Sequence, residues 1–357
     1  MELPQEITKT SGEVSVAHVR RAWYVLCDSS ELGQGPLARK LMGMPLVLFR
    51  GEGGKPGALL DRCAHRNVPL SLGRVVNRCL ECPYHGWQYD REGECRKIPG
   101  LIGEAELPRR AVSSFATRER DGFVWVYATP EEEPDEEPYS LPSIDEPGYD
   151  TVRQQVQAEG TLHATVENAL DVPHTAFLHK GLFRGTGKTN CIKAVITRDA
   201  KSVTTEYIGE PRPEGLVGRM LSPSGGIVTH FDRFILPSIA QVEYSIGTEN
   251  HILVTTLCTP VEDFVTRLFA VVTFRTRLPG RLVKTLLNPV ALKIFSQDAR
   301  MLKIQTDAIK RFGGEHYTST ELDLMGPQIL RLLRRAELGK AVKEGDDGYR
   351  REVQLEV

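Results

Sequence analysis

Two short stretches decide how this chain is read: Cys63-Ala-His65 and, after sixteen intervening residues, Cys82-Pro-Tyr-His85-Gly-Trp87. A C-x-H and a C-x2-H each set two side chains at the tip of one turn, and two such tips can clamp a metal centre between them. Two thiolates with two imidazoles suit tetrahedral zinc or a [2Fe–2S] cluster with both histidines on one iron. Zinc fingers of the common type group like ligands, Cys with Cys and His with His. Here each loop offers one of each, which puts both thiolates on one iron and both imidazoles on the other. Zinc remains the chemical alternative. Pro69, Gly73, Pro83 and Gly86 are turn formers that let backbone N–H groups approach bridging sulfides. Cys79 makes a second pattern, C-x2-C, with Cys82. With Cys27, Cys95, Cys191 and Cys258 it reads more simply as a small buried apolar residue.

Around these loops, 357 residues imply two domains. An apolar fraction of 40% with 26% charged residues allows a sizeable core. A net charge of −2 leaves no basic excess for phosphates, which argues against nucleic acid as a partner. No run of 18 or more apolar residues is present, so no membrane span is expected. The N-terminal residues do not read as a secretory signal, and seven cysteines, an odd number, suit a reducing, cytoplasmic setting.

Short apolar runs between turn signals (Ala22–Leu26, Pro45–Phe49, Ala58–Leu60, Gly122–Tyr127) predict an all-β first domain over residues 1–138. It ends in an exposed acidic connector, Pro130 to Pro138, whose residues are all Glu, Asp or Pro. Residues 139–340 change character. Strand-like runs at Cys191–Thr197, Ser202–Ile208, Gly226–Phe234, Ala240–Ile246, Ile252–Thr259 and Leu268–Thr276 precede helical stretches. The helices are expected at about Arg281–Phe312, kinked or bounded at Pro289, and at Ser319–Glu337, broken at Pro327. The whole is α+β, an antiparallel sheet backed by C-terminal helices, with a loose charged tail over 341–357. Gly185-Thr-Gly-Lys-Thr189 and Gly33-Gln-Gly35 imitate nucleotide loops but lack the spacing or the preceding strand. With no nucleotide site, the chain is not expected to oxidise NAD(P)H by itself.

The second constellation is Glu167-Asn168-Ala-Leu-Asp171-Val-Pro-His174-Thr-Ala-Phe-Leu-His179. Five residues on an ideal helix separate His174 from His179 by about 140°, so the two converge only if the helix is broken, and Pro173 favours a break. Asp171, three residues before His174, can share its face. Two histidines and one carboxylate make a facial triad that leaves open positions on Fe(II) for O2. The remaining histidines, His18, His163, His230, His251 and His316, carry no motif and read as structural.

Cys63–Val75 and Cys82–Cys95 resemble the cluster-binding segments of Rieske ring-hydroxylating oxygenases. Asp171-x2-His174-x4-His179 resembles the mononuclear iron motif of the same family. The preceding Glu-Asn is similar to the branch that includes pheophorbide a oxygenase-like proteins, and the likeness runs from about Val19 to Leu338. The resemblance implies a Rieske domain followed by a helix-grip, START-like catalytic domain. It implies Cys63, His65, Cys82 and His85 as cluster ligands and His174 and His179 as iron ligands. Asp171 would accept hydrogen bonds and link the two metal centres. Phe295-Ser-Gln-Asp298, followed by Gln305, resembles the family's C-terminal helix and implies Asp298 as third iron ligand, with Asp307 the rival. The implied protein is a homotrimeric terminal oxygenase, more often a monooxygenase than a dioxygenase. It would take electrons from a separate ferredoxin or flavin reductase and act with O2 on an apolar or aromatic small molecule. NAD(P)H would serve only through the reductase. The alternatives are a Rieske electron carrier without substrate chemistry and a zinc-stabilised binding module. Thr320 to Leu330 also looks familial, without a chemical reason that the sequence supplies.

Overall fold

The computed structural model describes residues 14–179, 191–210, 228–247, 250–276, 280–339 and 348–356. The chain divides into two compact units. One is Val19–Leu141, and the other joins residues 14–18 to the chain from Pro142 onward.

The first unit holds β1 (Trp23–Asp28), β2 (Leu37–Leu41), β3 (Met44–Arg50), β4 (Pro56–Leu60), β5 (Arg74–Val76), β6 (Cys79–Glu81), β7 (Gln88–Tyr89), β8 (Cys95–Lys97), β9 (Ser114–Arg120) and β10 (Phe123–Pro130). Six of them form a sheet ordered β1-β10-β9-β4-β3-β2, and β5 to β8 form a small meander. Alternation along β3 explains the layering. Leu46 and Leu48 face one apolar cluster with Tyr24, Leu26, Val124 and Val126, while Val47 and Phe49 face a second with Leu59, Leu70, Leu80 and Tyr89. The second cluster lies under the meander and contains Cys63 and Cys82, so the thiols of both loops are anchored in a core. The acidic connector is not free. Arg118 pairs with Glu133 and Glu137, Arg21 pairs with Glu132, and Trp23 Nε1 donates to the Glu136 carbonyl at 2.7 Å.

The second unit is one antiparallel sheet ordered β11-β17-β16-β15-β14-β13-β12-β18. Its strands are β11 (Asp150–Ala158), β12 (Cys191–Arg198), β13 (Ser202–Ile208), β14 (Val228–Ile235), β15 (Ile239–Ile246), β16 (Asn250–Glu262), β17 (Val265–Arg275) and β18 (Tyr349–Glu356). Its helices are α1 (Leu162–Leu170), α2 (Thr175–Leu178), α3 (Gly280–Phe312) and α4 (Gly326–Glu337). Val283 of α3 enters a cluster with Val152, Val228, Ile246, Ile252 and Phe274 of the sheet. Thr161 caps α1, accepting from the Ala164 N–H at 3.1 Å.

Four expectations change. Residues 14–18 belong with the second unit, where Ser15 hydrogen-bonds Glu315 and the His18 N–H donates to Glu337. The tail is not loose over its last residues, because β18 pairs along all of β12 and buries Leu355. Its charges suit an edge strand, whose outer side faces water. The last helix starts at Gly326 rather than Ser319, with Pro327 at its first turn, where a missing N–H costs nothing. Pro289 lies inside α3 without ending it. The helix α1 carries the start of the iron-type motif and was not expected. Gly185-Thr-Gly-Lys-Thr189 lies outside the described residues.

Candidate metal centres

The cluster-type residues sit on two matching tips. Between β4 and β5 the Cys63 N–H bonds to the Val68 carbonyl at 2.9 Å, and the Asn67 N–H bonds back to Cys63 at 3.0 Å. Between β6 and β7 the Cys82 N–H bonds to Trp87 at 2.8 Å, and the Gly86 N–H bonds to Cys82 at 3.1 Å. Gly86 has φ of 72°, the left-handed conformation that such a tight tip needs. The two thiols point inward, 1% and 3% exposed, while His65 is half-buried and His85 exposed. The imidazole centroids are 4.5 Å apart, and Trp87 stacks on His65 at 4.8 Å with 4° between planes. Burial, with Cys63 next to it, pushes the Cys82 thiol up. The Tyr89 hydroxyl lies 3.3 Å from Cys63 Sγ.

Two features test the fit of a cluster. His65 Nδ1 is buried and has no hydrogen-bond partner, as a ligand nitrogen turned toward a metal would be. The four side chains also fail to form a single-ion site: among the described residues, the only group of three or more His, Cys, Asp or Glu with ligand atoms all within 4.8 Å is elsewhere. Ligands of one tetrahedral zinc stand roughly 3.3–3.8 Å from each other. Paired thiols behind and paired imidazoles in front fit a dinuclear cluster better.

That other group is His174, His179 and Asp298. Asp171 ends α1, α2 begins after His174, and the break at Pro173 lets both imidazoles turn to one point. His174 Nε2 and His179 Nε2 are 3.2 Å apart, and Asp298 Oδ1 of α3 lies 3.6 Å and 3.1 Å from them. Three ligands on one octahedral face at about 2.1 Å from a metal stand ~3.0 Å apart, close to this triangle. Asp298 Oδ1 is buried and has no hydrogen-bond donor. The outer nitrogens are fixed. His174 Nδ1 is 3.2 Å from Asp171 Oδ2, which also accepts the His174 N–H at 3.1 Å, and His179 Nδ1 donates to Gln297 Oε1 at 3.0 Å. These partners set the tautomers that turn both Nε2 atoms inward. Burial alone would lower the His174 pKa, but the hydrogen bond to Asp171 and the negative charges of Asp171 and Asp298 outweigh it and hold it at about 9. His174 and His179 in turn hold Asp298 low against burial. The pocket draws a cation to Nε2, a proton or a metal alike. Asp307, the rival, points away and pairs with Lys303 at 3.3 Å. Gln297 escaped sequence reading. Its only signal was its place beside Asp298.

The Thr320–Leu330 segment now has a structural account. His163 Nε2 of α1 bonds to the Gly326 carbonyl at 2.8 Å, and the Glu167 side chain fills the space where a Cβ on Gly326 would stand. The segment therefore docks on α1, the helix that ends at Asp171.

The Rieske [2Fe-2S] domain family matches residues 22–109, and the vanillate O-demethylase oxygenase C-terminal domain family matches residues 159–338. Methylxanthine N1-demethylase NdmA of Pseudomonas putida is 27% identical over 341 residues, 93% of each chain. The oxygenase component of dicamba O-demethylase from Stenotrophomonas maltophilia is 32% identical over 206 residues, 57% of this chain and 60% of that protein. The match to chlorophyllide a oxygenase of Arabidopsis thaliana, 32% identical, spans 51% of this chain and 35% of that protein. Dicamba monooxygenase bound to dicamba has the same fold, with a TM-score of 0.76 at 23% identity over 90% of this chain and 98% of that chain. An all-β unit bearing the Cys/His loops, followed by a sheet-and-helix unit bearing the His/His/Asp face, with both halves matched to families, makes this chain a member of the Rieske oxygenase family with a vanillate O-demethylase-type C-terminal domain.

Proposed function

We propose that this chain is the terminal oxygenase component of a Rieske non-haem iron system. The observation that carries the reading is the convergence of His174, His179 and the orphaned Asp298 Oδ1 in a chain that also bears the Cys63/His65/Cys82/His85 loops. When bound, the cluster supplies single electrons and the iron supplies O2 activation. Cys63 and Cys82 would hold one iron of the cluster, and His65 and His85 the other. The Tyr89 hydroxyl, 3.3 Å from Cys63 Sγ, would donate to that sulfur as a thiolate ligand and favour the reduced form of a bound cluster. His174, His179 and Asp298 hold the mononuclear iron, and Asp171 fixes His174. A separate ferredoxin or flavin reductase brings the electrons of NAD(P)H. The names of relatives (O-demethylase, N1-demethylase, N-alkylformylase) favour oxygen insertion into a C–H bond beside oxygen or nitrogen on a small aromatic substrate. An electron carrier would have no use for the His/His/Asp face.

A head-to-tail homotrimer, in which the cluster of one subunit serves the iron of the next, belongs to the same reading. Apolar side chains stand exposed beside both centres: Leu72 and Tyr84 near the cluster loops and Phe177 between the iron-site histidines. Asp171, 35% exposed, is accessible to a neighbour. No helix among the described residues is long and apolar enough to cross a membrane. Metal analysis with a reductase-coupled assay tests the function. Three irons per chain and O2-dependent product formation are expected. Two irons without O2 consumption would mean a carrier, and zinc a binding module.

A further inference from the structure

A hollow of about 280 Å³ opens on the first unit beside the second cluster loop. Leu72, Arg74, Glu81 and Cys82 line it, together with Gly73 and Gly86, which have no side chain to fill it. Through it solvent comes up to Cys82, a residue otherwise enclosed in the core under the meander. The charges around the hollow are sorted. Residues 61–89 carry four arginines, Arg62, Arg66, Arg74 and Arg78, against two carboxylates, Asp61 and Glu81. Both carboxylates are half-buried and bonded. Asp61 accepts the Ser71 N–H at 2.7 Å and the Ser71 hydroxyl at 2.6 Å, which ties the root of the first loop to the turn that carries Leu72. Glu81 accepts from Gln88 Nε2 at 2.7 Å and from Arg74 Nε at 2.8 Å. The Glu81 side chain is 16% exposed and that of Arg74 76% exposed. Arg62 and Arg66 are exposed and have no carboxylate partner among the described residues. Lys97, the register partner of Gln88, is exposed as well. A molecule approaching this face therefore meets cationic charge, although the chain as a whole carries −2.

We propose that this hollow and its basic rim are the docking surface for a small acidic electron carrier of the [2Fe–2S] ferredoxin type. The proposal rests on the oxygenase reading. There the imidazole edge of the cluster site faces the neighbouring subunit, which leaves the Cys82 side for electron entry. Each docking event moves one electron and no proton: the carrier's cluster is oxidised and the cluster of this chain is reduced. NAD(P)H restores two carriers per hydride through the reductase. Opposite charges steer such encounters and raise their rate more than their affinity, which suits a carrier that must leave after every electron. Arg62, Arg74 and Lys97 are the steering charges, and the bonds that hold Asp61 and Glu81 inward keep those carboxylates from repelling an acidic partner.

The probe is a plant-type [2Fe–2S] ferredoxin, mixed in stopped flow with the full-length holoprotein. Reduced ferredoxin should reduce the wild-type cluster in a bimolecular reaction that slows by on the order of tenfold as salt rises to about 0.5 M. At low salt, Arg62→Glu and Lys97→Glu should each slow it by about tenfold and weaken the binding of oxidised ferredoxin in fluorescence anisotropy. Lys55→Glu makes the same change of charge on an exposed residue at the far end of β4 and should do neither. All three variants should keep the Rieske-type EPR signal and the wild-type rate of reduction by dithionite. Reduction by ferredoxin that ignores salt, or that Lys55→Glu slows as much as the rim variants do, would overturn the surface. Slower reduction of the rim variants by dithionite would overturn it too, as a change in the cluster itself. So would smaller assemblies of those variants in gel filtration, which would make the face a contact between copies of this chain. No reduction of the wild type by ferredoxin would overturn the partner. Failure of the oxygenase reading itself would look different, since the wild-type protein reduced by dithionite would then consume no O2 in the presence of any substrate.

Discussion

Gln297 Oε1 stands 3.0 Å from His179 Nδ1 and thereby decides which nitrogen of that ring faces Asp298. Gln297→Leu keeps the bulk and removes the acceptor. Loss of such a partner lowers metal affinity by roughly tenfold to a hundredfold. Chelator competition on the holoenzyme should show faster loss of the mononuclear iron, with the cluster spectrum intact. Unchanged iron retention would show that the ring is held by other means.

The choice of carboxylate is equally open to test. Asp298→Ala should lose one iron per chain and all product formation, because its Oδ1 completes the triangle with both Nε2 atoms. Asp307→Ala should lose only the solvent-screened surface pair with Lys303 and keep its iron and activity. Retention of iron by the first variant and loss by the second would reverse the assignment.

For the cluster, Cys82→Ser should abolish the Rieske-type EPR signal of the reduced protein, and Cys79→Ser should leave it. Cys79 lies at the start of β6, outside the two loop tips. The opposite pattern would refute the ligand set.

The proposed passage of electrons between subunits by way of Asp171 can be tested directly. A carboxylate can accept from two imidazoles at once, whereas asparagine loses the charge and half of the acceptor capacity. Asp171→Asn should retain both metal centres and pass electrons between them slowly in rapid-mixing experiments. Mixed trimers of Cys82→Ser and His179→Ala chains, each inactive alone, should regain activity. No recovery in verified mixed trimers would indicate transfer within one chain.

Stability should depend on pH through His230. Burial alone would lower its pKa, but Asp232 and Glu210 outweigh it and hold it at about 9. The unfolded chain titrates near 6.5. The fold thus keeps a proton that the unfolded chain releases between these values. The stabilisation is complete below about pH 6.5 and is lost as pH rises through 9, on the order of 3 kcal/mol. The thermal midpoint should fall across this window in the wild type. His230→Gln should be less stable throughout and flatter between those pH values.

What the sequence made legible was whatever chemistry leaves a local spacing. The Cys/His loops announce themselves because each ligand pair lies on one turn. The strands of the catalytic sheet show because runs such as Ser202–Ile208 and Val228–Ile235 alternate between the core and the outer face. Asp298 lies 119 residues beyond His179, and no local pattern could join them; the resemblance did. Gln297 and Glu210 act only through partners that are distant in sequence. The helix α1 was missed because its face is nearly all buried, which leaves no polar stripe to mark a helical period. β18 was missed because Arg350, Arg351 and Glu352 hide a strand whose inward residue is Leu355.

The pairing of β18 along β12 has a practical consequence for anyone trimming this protein. Without residues 348–356, the Cys191–Arg198 backbone would become the open edge of an eight-strand sheet reduced to seven. An unprotected edge recruits strands from other molecules. A truncated chain ending at residue 339 should therefore self-associate in gel filtration at concentrations where the full chain keeps its native assembly, even though every metal-site residue is still present.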